Sequence, residues 1–507
     1  MTRLLTAEDF YALKLAEDVR VSPDGGHIAY VQVEIDREAY EYRRSIWIAP
    51  TEGGEPRRFT TGPNDTAPRW SPDGGMLAFV RAPAGDVKPK SAEERARGVG
   101  SPQIWVIPAD GGEARQLTFQ CYGANGPVWS PDGAWVAFTA RTGEPDDPEV
   151  DEAALRGKNI PRVHTIDQVW FRADGHGFIY AQRTHLFVVP AEGGEPRQLT
   201  DGDYDDNTPD WSPDGTRLVF ISDRSDERWV WPAPSVWMLE IASGQLTRLT
   251  DESLGCHSPR WSPDGKSVAF LAQPRRHSVG HSDLYVVPTG TPRKQRILTQ
   301  DFTPTCEDTC LDDMRAGHGP QELAWSPDGR DIFFVGTMRG TVHVYAARVA
   351  DNLLPRRVTD GDCRVYSFAL DPACRTLALG VADPVDPGDV YVQDVVARGG
   401  KVDVTERRRL TNLNADLLAE VELARPEEFT FVGADNWELQ GWMLRPTQVG
   451  AGEPADVPAV LEIHGGPMSM YGYSFFLEFQ LLVAHGYAVV YTNPRGSTGY
   501  GRIFSGA

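Results

Sequence analysis

The residues of this 507-residue chain best suited to chemistry stand in a row, His464-Gly465-Gly466-Pro467. They follow directly on the apolar run Ala459-Val460-Leu461-Glu462-Ile463. Consecutive glycines let a backbone approach a substrate carbonyl and aim an N–H at it, which is what holding an oxyanion requires. Gly466 and Gly465 are the candidate oxyanion-hole donors, with His464 shaping the loop. Alone, such a tripeptide reads as a plain turn; its place between a buried strand and a helical stretch makes it more specific. A second glycine-rich loop, Asn493-Pro494-Arg495-Gly496-Ser497-Thr498-Gly499-Tyr500-Gly501, follows. Its Arg495 and Gly496 form a structural signature, with Arg495 expected to anchor a turn rather than touch substrate.

Other chemistries find little support. In α/β-hydrolases the nucleophile follows the oxyanion loop, then the acid, then the histidine. No Gly-x-Ser-x-Gly occurs: Ser497 has Arg495 where the first glycine belongs, and Ser474 is followed by Phe476 where the second belongs. No catalytic residue is therefore assigned within 1–507, the triad is expected beyond it, and the chain is expected to be a fragment, inactive by itself. His464 is no substitute base, because it precedes the nucleophile's place. The histidines lack HExxH spacing. Asp201-Gly202-Asp203-Tyr204-Asp205 opens like a calcium loop, but Asp206 stands at the turn glycine and Ser212 at the bidentate glutamate, so a solvated acidic loop is expected. Neither a metal nor a cofactor is expected. The six cysteines, Cys121, Cys256, Cys306, Cys310, Cys363 and Cys374, form no paired CxxC elements and read as free thiols, although Cys306 and Cys310 are close enough for a local disulfide.

Both loops need elements to hold them. Phe429-Thr430-Phe431-Val432 and Leu439 to Leu444 read as an antiparallel pair. After the glycine loop comes a helix from Phe475 to His485 ended by Gly486, then a strand from Tyr487 to Tyr491. Strand, glycine loop, helix and strand make an α/β start.

Before residue 427 a different period rules. Ser-Pro-Asp-Gly recurs at Ser22, Ser71, Ser130, Ser212, Ser262 and Ser326, with Trp before all but the first, and Asp371-Pro372-Ala373-Cys374 is a degenerate copy. Pro fixes φ, Asp bonds its own backbone and Gly takes a left-handed conformation, so each copy encodes a hairpin. Runs such as Leu77-Ala78-Phe79-Val80 follow, apolar on both faces, as in blades stacked face to face. An apolar residue and Thr close each unit, at Thr60, Thr118, Thr200, Thr250, Thr299, Thr359 and Thr411. Both markers count seven, predicting a seven-bladed β-propeller. The extra turn at Arg172-Ala173-Asp174-Gly175 has no closing Thr of its own and is assigned to an enlarged third blade with an acidic insertion near Glu144 to Glu152. No strand is borrowed to close the ring, so its first and last blades are expected to meet through side chains alone. The Trp residues are expected in blade cores. At the N-terminus Thr6-Ala7-Glu8-Asp9 fits a capping box opening a short helix through Phe10, Leu13 and Leu15.

The net charge is −22, from 50 basic and 72 acidic residues scattered along the chain. Nucleic acid and membranes are excluded as partners on this ground and for want of an apolar run of about 20 residues. A soluble cytoplasmic protein is expected.

Blades with Trp-Ser-Pro-Asp-Gly followed by HGGP and NPRGSTGYG resemble the prolyl oligopeptidase family of serine peptidases, nearest its acylaminoacyl-peptidase branch. The resemblance covers essentially the whole chain. It implies a seven-bladed β-propeller plus the N-terminal part of an α/β-hydrolase domain. The divisions are an N-terminal helix packing on the hydrolase part (1–17), the propeller (18–411), a linker (412–426) and an incomplete hydrolase domain (427–507). It further implies a hydrolase that removes N-terminal, often N-acylated, residues from short peptides, with the propeller as a size filter. In this family the N–H at the second glycine of HGGP serves the oxyanion hole, which maps onto Gly466. Homo-oligomers are expected, and the remaining C-terminal hydrolase fragment is a candidate partner. Alternatives are a dipeptidyl or prolyl oligopeptidase, or a non-catalytic propeller scaffold for protein binding.

Overall fold

A computed structural model describes residues 2–506 apart from 86, 88–90, 144–165, 167, 174–176, 179–181, 277, 278, 316–321, 352, 399, 400 and 447–455. Most of the chain is built from four-stranded antiparallel units that follow one another in sequence. The first unit pairs Leu15–Val21 with His27–Asp36, Glu41–Pro50 and Arg57–Arg58 in that order. We label β1 the short N-terminal strand Arg3–Leu4 and, as β2 to β8, the innermost strand of each successive unit: β2 Leu15–Val21, β3 Asn64–Trp70, β4 Ala124–Trp129, β5 Asp206–Trp211, β6 Leu254–Trp261, β7 Leu323–Trp325 and β8 Arg364–Leu370.

Three side-chain devices explain why the repeat folds this way. In each Ser-Pro-Asp-Gly turn the Ser hydroxyl donates to the Asp carboxylate at 2.5 to 2.7 Å, and the glycine sits at φ between +68° and +77°. Where the copy is degenerate, Asp371 stands in the place of Ser and, like the Ser hydroxyls, accepts the N–H five residues on, that of Thr376 at 2.5 Å, and Cys374 holds the left-handed φ of +53°. Each closing Thr hydroxyl accepts a backbone N–H from the third strand of its unit, at 2.9 to 3.0 Å in every copy from Thr60 to Thr411. Each Trp before a turn bridges units: the indole N–H of Trp70, Trp129, Trp211, Trp261 and Trp325 donates to a carbonyl of the preceding unit's inner strand, at 2.9 to 3.3 Å. These Trp residues thus tie one unit to the next as well as filling space.

The chain of units closes into a propeller. Ala16, Val19, Ile28 and Tyr30 of the β2 unit share one core with Ala378, Val390 and Val392 of the β8 unit. Among the described residues no strand of the β2 unit pairs with one of the β8 unit, so this seam is closed by side chains. By contrast, a bridge at Arg44 and Asn64 joins the β2 and β3 units, and one at Val342 and Arg364 joins the β7 and β8 units. The hairpin Arg172–Ala173 with Gly177–Phe178 lies between the second and third strands of the β4 unit, as an insertion. The turn at Asp174 and Gly175 and the acidic stretch Glu144 to Glu152 fall outside the described residues.

At the N-terminus, Ala7–Ala12 is a 3-10 helix, with the Thr6 N–H donating to Asp9 at 2.8 Å. The Arg3 guanidinium beside Asp9 holds its carboxyl down at about 2. The helix stops short of its sequence expectation, because Leu15 already pairs with Val33 in β2. Strand β1 pairs in parallel with β9, Val421–Glu422, beyond the propeller. Leu5, Leu13 and Leu15 share a core with Leu417, Val421, Phe475 and Leu477, so the N-terminal segment packs on the C-terminal part.

That part is a second, α/β body. Its strands are β10 Glu427–Val432, β11 Glu438–Leu444, β12 Ala459–Glu462 and β13 Ala488–Asn493, in the order β10-β11-β13-β12. The pair β10 and β11 is antiparallel, as the alternation predicts, and β12 runs parallel to β13. Helix α1, Leu477–Ala484, crosses between them. It ends where expected: Gly486 has φ +86°, its N–H donates to Val483 O at 3.0 Å, and Tyr487 N–H donates to Leu482 O at 3.1 Å. This double bond pattern satisfies the last carbonyls of the helix. A short helix α2, Arg502–Ser505, ends the described part.

Candidate functional site

The glycine loop leaves the C-terminal end of β12, the edge strand of the α/β sheet. Gly465, Gly466 and Pro467 are all exposed. Gly466 stands at φ +127°, where a Cβ would meet the Met468 nitrogen at 2.7 Å, so only glycine fits. The Gly466–Pro467 peptide is cis.

His464 ties this loop to the second one. Its Nε2 lies 3.0 Å from Ser497 Oγ, and its Nδ1 lies 2.9 Å from Gly465 O and 3.0 Å from Ser469 Oγ. Ser497 is fully buried, and its hydroxyl donates to Pro494 O at 2.7 Å. The buried hydroxyl thus lies between His464 Nε2 and Pro494 O, and the pair braces two loops. It lacks the exposed, activated hydroxyl that a nucleophile requires. Gly496 completes the contact: at φ +99° it lies against Pro467, where a Cβ would come within 3.0 Å of the ring.

Arg495 sits with its guanidinium 5.8 Å from the Trp437 ring, and the Gly496 N–H donates to Phe504 O at 2.9 Å. The most connected residue of the second loop is Asn493, which sequence reasoning passed over. Its side chain accepts the Tyr471 N–H at 2.9 Å and donates to Tyr471 O and to Tyr500 Oη, both at 2.8 Å. The Tyr500 hydroxyl in turn donates to Gln440 on β11 at 2.6 Å. Fully buried Asn493 therefore fixes the chain that leaves the glycine loop, a role visible only when residues 471 and 493 are brought together.

The propeller reaches into the same site. The segment between the β6 and β7 units runs beside the glycine loop: Leu311 N–H donates to Met470 O at 2.9 Å, Met470 N–H donates to Thr309 O at 3.2 Å, and the Thr498 hydroxyl meets that of Thr309 at 2.7 Å. Asp313 then caps α1, accepting the N–H groups of Leu477 at 3.0 Å and Glu478 at 2.8 Å. Arg364, buried, holds this segment through Asp308 at 2.8 Å and through Asp312. Cys306 and Cys310, on the same segment, are both free and fully buried, and burial pushes the Cys306 thiol up to about 12. In the acidic loop, Asp203 pairs with Arg183 at 2.7 Å and Arg228 at 3.0 Å, Asp206 pairs with Arg224 at 2.9 Å, and Asp205 accepts the Thr184 N–H at 2.8 Å.

No protein-family model matches the chain. It is 34% identical over 511 residues to the uncharacterized peptidase YuxL of Bacillus subtilis, a match spanning 100% of this chain and 73% of the relative. The chain belongs to the prolyl oligopeptidase family of serine peptidases. Dipeptidyl-peptidase 5 of Porphyromonas gingivalis is 23% identical over 98% of the chain and 69% of its own length. A solved acylaminoacyl peptidase in complex with Z-Gly-Gly-Phe-chloromethyl ketone shares the fold, with TM-score 0.73, 21% identity and coverage of 98% of this chain and 68% of that one. Both glycine-rich loops lie against the propeller: a Cβ on Gly280 would meet Met468 and Thr498, and the Arg339 N–H donates to Gly499 O at 3.1 Å. Among the described residues no helix is long and apolar enough to cross a membrane.

Proposed function

We propose that residues 1–507 form the propeller gate and oxyanion-loop portion of a serine exopeptidase that takes N-terminal, often N-acylated, residues from short peptides. The gate is a seven-bladed ring, one blade for each of the units opened by β2 to β8. Gly466, with Gly465, offers backbone N–H groups to the oxygen that gains charge as a peptide carbonyl becomes tetrahedral. His464 keeps their loop in place.

The observation that carries this reading is the exposed Gly465-Gly466 pair at the end of a parallel strand, clamped by His464, Ser497 and Asn493. A scaffold for protein binding has no use for glycine N–H groups locked in this way. Because no Gly-x-Ser-x-Gly is present, these residues supply no nucleophile by themselves.

The test has two arms. A fluorophosphonate probe leaves the purified 1–507 chain unlabelled, and the chain leaves acetylated peptide substrates intact. A protein in which these residues are joined to a nucleophile-bearing hydrolase part cleaves acetylated peptides, and Gly466→Ala lowers its kcat about 100-fold or more. Turnover by 1–507 alone, or an unaffected Gly466→Ala enzyme, contradicts the assignment.

A further inference from the structure

The inner strands share an irregularity whose consequence reaches across the ring. In β2, β3, β5 and β6 the register slips at a residue of positive φ, Asp18, Ala67, Thr208 and Ser258. Two residues later in each strand stands a charged side chain: Arg20, Arg69, Asp210 and Arg260. In the lead into β7, Glu322 occupies the position of the slip, four residues before Ser326.

These side chains meet one another. Arg69 lies 3.0 Å from Asp18, Asp18 lies 2.6 Å from Arg20, Arg20 lies 2.5 Å from Glu322, and Glu322 lies 3.2 Å from Arg260. The string runs from the β3 unit through the β2 unit to the β7 and β6 units. Asp210 of the β5 unit stands beside it, accepting the Trp261 N–H at 2.8 Å. Its five side chains are only 11% to 26% exposed. The β2 and β7 units are not neighbours, because the β8 unit stands between them. Side chains from non-neighbouring units reach each other only over the axis.

We propose that this axial string of ion pairs is the clasp of the ring. It ties the β2 unit to the β7 unit across the β8 unit and holds shut the seam where the first unit meets the last, which neither strand pairing nor a direct chain connection from one unit to the next secures. Parting the seam between the β2 and β8 units lengthens the chord from Arg20 to Glu322, whereas parting the ring on its far side, between the β4 and β5 units, leaves that chord unchanged. The contact therefore opposes opening on the side of the ring that holds the β8 unit, where the interface with the β7 unit already has its bridge and the one with the β2 unit has none. It rests on the ring order proposed above and is independent of any catalytic activity.

Hydrogen exchange read by mass spectrometry on the 1–507 chain tests it. The double substitution Arg20→Ala/Glu322→Ala removes one charge of each sign and leaves the net charge unaltered. Amides of Leu15–Val21 and Thr376–Asp383, on the two sides of the seam, are expected to exchange about tenfold faster or more, with Arg217–Ser222 unchanged. Glu322→Gln, which keeps the side-chain volume, gives the same pattern to a smaller degree and decides the matter if the double variant does not fold. Arg81→Ala/Asp65→Ala removes an off-axis pair within the β3 unit and raises exchange only there. Uniform acceleration through all units, or an unchanged seam, overturns the clasp.

Discussion

Gly472 and Gly340 touch backbone to backbone: a Cβ on Gly472 would stand 2.1 Å from Gly340 O. Gly340 is the turn between two strands of the β7 unit, and its carbonyl accepts the Tyr473 N–H at 2.7 Å. Gly472→Ala forces the propeller and the α/β body apart at this point, at a cost of about 1–3 kcal/mol. Denaturant unfolding followed by tryptophan fluorescence checks it, since Trp442 packs against Gly340. An alanine variant as stable as the parent would show that the contact is slack.

Thr250 illustrates the closing threonines. Its hydroxyl accepts the N–H of Val236 at 3.0 Å in a fully buried place. Thr250→Val keeps the shape and leaves that N–H without its acceptor, with an expected loss of about 1–3 kcal/mol, while Thr250→Ser loses less. Thermal unfolding of the two variants side by side separates the hydrogen bond from packing.

The His464 and Ser497 contact predicts a negative result with a positive control. Ser497 stays unmodified when the chain is treated with a serine-reactive fluorophosphonate, as read by peptide mass mapping. Ser497→Ala nevertheless lowers the melting temperature, because His464 Nε2 loses its hydrogen-bond partner and Pro494 O its donor. A modified Ser497 would mean that the pair is reactive and not merely a brace.

Acid should weaken the ring through Glu322. Burial disfavours its charged form, but Arg20, Arg260 and Arg69 outweigh this and bring its pKa from 4.5 down to about 2. A carboxyl with a depressed folded-state pKa contributes fully above its unfolded pKa, and the contribution is lost as pH falls from there through about 2. The amount at neutral pH is on the order of 3 kcal/mol. Stability measured between pH 6 and pH 2.5 should decline in the parent and decline less steeply in Glu322→Gln; parallel slopes would count against the assignment.

Local physics made much of this protein legible in one dimension. A tight turn needs its Pro, Asp and Gly in consecutive places, so Ser-Pro-Asp-Gly announced each hairpin, and the closing Thr announced each unit's end, because both act within a few residues or one strand pair. Gly486 as a helix stop and the strand, loop and helix around His464 were readable for the same reason. The tertiary structure alone decided what depends on residues far apart in sequence. Leu15 left the expected helix for a strand because Val33 offered it a partner. Asn493 became the anchor of Tyr471, Asp313 of the propeller became the cap of a helix in the other body, and Arg20 found Glu322 about 300 residues away. A periodic pattern records what each residue asks of its neighbours along the chain. Which distant polar group will answer a buried charge or an unpaired N–H is set only when the ring closes and the α/β body docks on it.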